Sequence, residues 1–158
     1  MFKFDKLVFG DLGWGDEFLF ATLMTVTVSI LSMGLGLCLA IITVWAKLIT
    51  NRITRFIATF YTTVVRGVPE LLVIYLIFFG GNSVLMSVAK LFGYNGYIEL
   101  NALTIGTIAI AFISATYSSE VIRAAYLAVN KGQVEAAKAL GLSRIQIFLR
   151  VMGPQIIR

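Results

Sequence analysis

The sequence predicts an all-α integral membrane protein: three spans followed by a polar, basic helical tail. Three observations carry that prediction. Hydrophobic residues make up 59% of the 158 positions, against about 45–50% in soluble domains. Residues 18–46 hold no charged side chain at all. The charges that do occur are gathered into a few short stretches. Asp5, Asp11, Asp16 and Glu17 outweigh Lys3 and Lys6, whereas residues 47–55 and 120–158 are strongly basic.

Residues 18–46 form the first predicted span. At ~1.5 Å per residue these roughly 29 positions exceed the ~30 Å hydrocarbon core, so the helix must tilt or project. Its length and its acidic N-terminal flank speak against a cleaved signal. Two pairs of small residues lie four apart on it, Gly34 with Cys38 and Ser32 with Gly36. Each pair suits a close helix contact, and each also fits ordinary membrane-helix composition. A basic loop, 47–55, follows. The second predicted span is 56–80, interrupted at Arg66-Gly67-Val68-Pro69-Glu70 and ended by Gly80-Gly81-Asn82-Ser83. Residues 84–101, with Tyr94 and Tyr97, read as an outer loop or interfacial helix, because aromatics favour the headgroup zone. The third span is 102–121, which turns polar from Ser114 to Glu120. Residues 123–154 read as two short amphipathic helices broken at Gly141.

Orientation follows from lysine and arginine near the spans, which are retained on the cytoplasmic side. The 47–55 loop and the tail are rich in them; the N-terminus and the 80–101 loop are poor. This places the N-terminus outside and the tail inside. The same retention explains the net charge of +5 without nucleic acid as a partner; the lipid bilayer is the partner it implies.

Several chemistries are excluded. There is no histidine, and Cys38 is the only cysteine. That removes the commonest general base, Ser-His-Asp catalysis, an internal disulfide and thiolate metal clusters. No catalytic or metal site is expected, and no G-x-x-x-x-G-K-[ST] loop is present to bind a nucleotide.

Two groups of polar residues lie within the spans. Arg66 and Glu70 fall midway along the second, where ionisable groups are costly and face a protein interior or a water-filled cavity. One reading is a self-neutralising pair sharing a helix face. The other is a pair facing a translocation path, with Glu70 drawing a cationic group or Arg66 a carboxylate. Pro69 removes a backbone donor and disfavours helical geometry at Val68, so a kink or break is expected. A helix restarting at Pro69 would put Glu70 in its first turn, where the dipole favours negative charge. The second group is Ser114, Tyr117 and Ser118, on one face of the third span. Its hydroxyls either bond helix carbonyls or line the inner wall of a path. Glu120 is expected to pair with Arg123 or Arg52.

The tail reads Glu135-Ala136-Ala137, then Gly141 and Ser143, and further on Pro154. Small alanines allow close approach by another surface. Gly141 can end a helix in a left-handed conformation, and Ser143 can cap the next. Such a helix–turn–helix knob beside membrane spans is a docking device. Glu135-Ala-Ala-x3-Gly141-x9-Val151-x-Gly153-Pro154 resembles the EAA signature of binding-protein-dependent ABC permeases. Arg66-Gly-Val-Pro-Glu-Leu-Leu72 resembles the R-G-x-P segment of their polar amino-acid branch, and Tyr117-Ser-Ser-Glu120-Val-Ile-Arg123 the run before the EAA loop. Val151 and Gly153 depart from the usual isoleucine and leucine. The acidic residue after the proline looks most like the histidine, arginine and opine subgroup.

This resemblance implies a MetI-like permease fold and a partial transmembrane domain over 1–158, with three of about five helices. It implies a non-catalytic subunit in the bacterial inner membrane with a periplasmic N-terminus. A cytoplasmic ATPase would bind the ATP and grip the EAA loop. A periplasmic amino-acid-binding protein would deliver the cargo, and a second permease subunit, identical or sister, would complete the path. Since such permeases continue beyond the proline, a truncated chain is expected. The competing classes are a passive channel or membrane anchor, which needs no docking loop, and a small membrane enzyme using Glu70 or Glu120, which lacks a second nearby carboxylate.

Overall fold

A computed structural model describes residues 13–94, 96 and 101–156. The acidic N-terminal stretch before residue 13, Tyr97 and Glu99 lie outside them. The described residues are helical throughout their regular structure. The elements are α1 (Gly15–Leu48), α2 (Arg52–Gly67), α3 (Glu70–Leu91), α4 (Ala102–Ala128), α5 (Lys131–Ala139), α6 (Arg144–Ile147), a π-helical turn (Phe148–Met152) and α7 (Gly153–Ile156). Three helices are long and apolar enough to cross a membrane: α1, α3 and α4.

The second span is therefore placed differently from the expected 56–80. The break foreseen around Pro69 is complete: Val68 is extended, at φ −109° and ψ 143°, and α3 begins at Glu70. The Pro69 carbonyl accepts from the Leu72 and Val73 amides and so opens the new helix. Gly80 and Gly81 do not end it. Without water to satisfy free peptide groups, a helix in lipid persists through residues that would stop it elsewhere. Residues 84–91, expected as an outer loop or interfacial helix, are the last turns of α3.

The core is the contact of α1 with α4, and it is made of small side chains. Ser32, Gly36, Ala40, Val44 and Lys47 line the buried face of α1; Thr107, Ala111, Ala115 and Ser119 lie buried on α4. A Cβ on Gly36 would sit 3.1 Å from the Ala111 carbonyl oxygen and 3.2 Å from Ser114 Cβ. The Ser32 hydroxyl donates to the Thr107 carbonyl at 3.2 Å. Of the two expected contact pairs, Ser32 with Gly36 faces the partner helix. Gly34 has nothing within 4 Å of its Cβ position, and Cys38 is exposed. Between helices in lipid there is no hydrophobic drive, so close van der Waals approach and interhelical hydrogen bonds carry the association. Gly36→Leu is expected to cost about 1–3 kcal/mol by overpacking and to lower the melting temperature of the purified chain. Gly34→Leu, pointing into open space, will leave it unchanged.

Asparagines start three of the helices. Asn51 accepts from the Ile53 amide, Asn101 from Leu103 and Thr104, and Asn130 from Gly132. Each satisfies one or two of the donors that a helix start leaves free.

Candidate functional site

The break between α2 and α3 sets Arg66 and Glu70 on two different helices. They do not share a continuous helix face, and they do not close into an ion pair with each other. Both are exposed, and Tyr117 of α4 stands between them. The Arg66 guanidinium lies 5.4 Å from the centroid of the Tyr117 ring, within cation–π range. The Tyr117 hydroxyl lies near the Glu70 carboxyl. A helix start thus presents a carboxylate, a helix end presents a guanidinium, and an aromatic ring bridges them. Beside them a cavity of about 460 Å³ is lined by Thr62, Thr63, Arg66, Gly67, Tyr117 and Glu120.

The other expected members of this group lie elsewhere. Ser114 packs against Gly36 in the α1–α4 contact, and Ser118 is half-buried on α4. Thr116 and Ser119 are fully buried and donate to the carbonyls of Ile113 and Thr116, at 2.7 and 2.9 Å.

Of the two expected partners of Glu120, Arg123 pairs with it and Arg52 does not; Lys47 is a further partner. Glu120 Oε1 accepts from the Lys47 ammonium, and its Oε2 lies 3.8 Å from Arg123. The sequence places Lys47 in the 47–55 loop. It is the last buried position of α1, 6% exposed, and it also donates to Thr62 Oγ1 of α2 at 2.6 Å. The signal for it was the spacing of Ser32, Gly36, Ala40 and Val44, whose face continues to position 47. Tyr61 adds a second polar tie between α2 and α4: its hydroxyl donates to the Phe112 carbonyl at 2.6 Å. Among the described residues no buried side-chain polar atom lacks a partner.

The tail folds into a knob. Gly141 has φ +74°, and its amide bonds the Lys138 carbonyl while Leu142 bonds Ala137. This pattern is a Schellman motif closing α5. Ser143 opens α6 with a capping box: Ser143 Oγ accepts from the Gln146 amide and Gln146 Oε1 from the Ser143 amide. Glu135 and Ala136 are exposed, whereas Ala137 is buried and packs inward. Pro154 cannot donate to a carbonyl, and the chain before it widens into the π-helical turn, with the Gly153 amide reaching the Phe148 carbonyl. Gln155 then bonds Gln133, bringing the end of the knob back to the start of α5.

Residues 33–158 match the family described as binding-protein-dependent transport system inner membrane component. The chain is 46% identical over 153 residues to the nopaline transport system permease protein NocQ of Agrobacterium fabrum, covering 96% of this chain and 65% of that one. It is 41% identical to the octopine transport system permease protein OccQ of Rhizobium radiobacter, over 95% of this chain and 63% of the other. The histidine/lysine/arginine/ornithine permease HisQ of Escherichia coli is 37% identical, over 92% of this chain and 64% of its own length. The chain thus spans less than two-thirds of the length of these relatives. The crystal structure of an amino acid ABC transporter with histidines superposes with TM-score 0.66 at 30% identity, covering 85% of this chain and 57% of that one. The chain belongs to the binding-protein-dependent transport system inner membrane components, with an all-helical permease fold.

Proposed function

We propose that the chain is the permease subunit of an ABC importer for polar or basic amino acids, including opines. The observation that carries this reading is the exposed, doubly capped knob following a span whose polar residues face a cavity. Glu135, Ala136, Ala137, Gly141 and Pro154 form the element that a cytoplasmic ATPase grips, with Ala137 as packing support beneath the contact surface. The ATP belongs to that partner; this subunit is non-catalytic and needs no cofactor of its own. Arg66, Glu70 and Tyr117 face the translocation path, and Ser114 and Ser118 support the helix that carries Tyr117. The N-terminus is periplasmic and the knob cytoplasmic. A periplasmic amino-acid-binding protein delivers cargo, and a second permease subunit closes the other side of the path.

The supporting relatives carry nopaline, octopine, and histidine/lysine/arginine/ornithine in their names. All of these share an amino-acid head and a polar or basic side chain, which a carboxylate, a guanidinium and an aromatic ring can recognise. The test is affinity capture of the chain from membranes. Recovery of an ATPase and ATP-dependent uptake of labelled arginine or octopine is expected. An anchor or passive channel would yield neither.

A further inference from the structure

Helix α2 is the least secured element at the cavity. It is a 16-residue helix, and only Ala58, Thr62 and Val65 are buried on it. In lipid an apolar face is not driven against its neighbour, so polar ties decide where such a helix rests. One tie is the Tyr61 hydroxyl on the Phe112 carbonyl. The other runs through Lys47. Its ammonium is buried between three helices, donating to Thr62 Oγ1 on α2 and to Glu120 Oε1 on α4. Thr62 Oγ1 in turn donates to the Thr59 carbonyl at 3.1 Å. Thr62 and Glu120 also line the cavity that holds Arg66 and Tyr117, so this junction forms one of its walls.

A buried cation in this setting is costly, and the cost is offset only when its partners are in place. Glu120 neutralises Lys47, and Thr62 supplies a further acceptor. That second bond makes the charge pair a tie between helices rather than a link confined to α1 and α4. Five positions beyond Thr62, α2 ends at Gly67 and the chain breaks, so movement of α2 displaces Arg66 relative to Tyr117.

We propose that Lys47 is a positioning residue that pins α2 to the α1–α4 pair through Thr62, and thereby sets the width of the cavity between Arg66 and Tyr117. The tie concerns the placement of α2 and holds whatever the cavity carries. The test uses the full chain in membrane vesicles, with Cys38→Ser to remove the native thiol and Gly67→Cys as the reporter. Gly67 lines the cavity, and nothing lies within 4 Å of its Cβ position. Thr62→Val keeps the shape and removes the acceptor while leaving Lys47 and Glu120 paired. It is expected to raise the rate of maleimide labelling at position 67 about fivefold, in line with the loss of one interhelical hydrogen bond, with membrane insertion unchanged. Thr62→Ser restores the original rate. Lys47→Met raises the rate as Thr62→Val does, and the two combined give no further increase. Labelling of Thr62→Val at the original rate, a Thr62→Ser rate equal to that of Thr62→Val, or additive effects of Lys47→Met and Thr62→Val would each overturn the pin. Should Lys47→Met fail to insert, the comparison of valine with serine at position 62 still decides.

Discussion

Replacing Gly141 by valine is expected to reduce recovery of the ATPase with this chain at least about tenfold while leaving membrane insertion intact. The argument is entirely about backbone. Gly141 stands at φ +74°, and nothing lies within 4 Å of where its Cβ would be. A side chain there meets no neighbour; it meets only the left-handed conformation itself. That conformation costs an ordinary L-residue about 1–2 kcal/mol and a β-branched one more, and 1.4 kcal/mol is already tenfold in an equilibrium. The strain falls on a nine-residue helix, α5, too short to be stable by itself. Relief comes by unwinding the Schellman closure, in which Gly141 and Leu142 bond Lys138 and Ala137. The exposed Glu135 and Ala136 then lose their fixed relation to α6. Helices α1, α3 and α4 are untouched. Gly141→Asn, tolerated in this conformation, is expected to retain most of the recovery. Capture of the ATPase by the valine variant at the original level would remove the knob from the coupling.

The knob was legible in the sequence because each of its joints depends on a residue with a special conformational property. Gly141 supplies a positive φ, Ser143 a side-chain acceptor, and Pro154 a missing donor; such signals survive without knowledge of the neighbours. The break at Pro69 was legible for the same reason. The spans were legible as apolar runs, but the bounds of the second were not. Charge and glycine mark helix ends in water, whereas in lipid the demand for internal hydrogen bonds carries α3 straight through Gly80 and Gly81 to Leu91. What escaped the sequence is whatever depends on two distant segments meeting. Lys47 looked like the start of a basic loop, yet it is buried because position 120 on another helix brings a carboxylate to it. For Arg66 and Glu70 a shared helix face and a path-facing pair both stayed open; the ring beside them stands about fifty residues downstream, at Tyr117. Ser114 looked equivalent to Tyr117, and only the missing side chain at Gly36 shows why α1 occupies its surroundings.

Exchange of Glu70 for glutamine separates a role in cargo selection from one in packing. Glu70 is the first residue of α3, where the helix dipole favours a negative charge, and it is exposed and lies near the Tyr117 hydroxyl. Glutamine has nearly the same shape; what disappears is the full charge. Packing around the α2–α3 break is therefore retained, while attraction for a cation beside the cavity is lost. Two unit charges 4 Å apart attract by ~4 kcal/mol in surroundings of effective dielectric ~20, and desolvation leaves a fraction of that. Uptake of labelled arginine at low concentration, in vesicles carrying the assembled transporter, is expected to fall roughly tenfold, the equivalent of ~1.4 kcal/mol. Uptake of a neutral amino acid carried by the same transporter will change less than about twofold, since it has no side-chain cation for the carboxylate to attract. Arg66→Gln is expected to act on both cargoes alike, because every amino acid brings a carboxylate that a guanidinium can attract. Equal losses for arginine and the neutral amino acid with Glu70→Gln would assign Glu70 to holding Tyr117 in place. In that case the selection of basic cargo belongs to another part of the transporter.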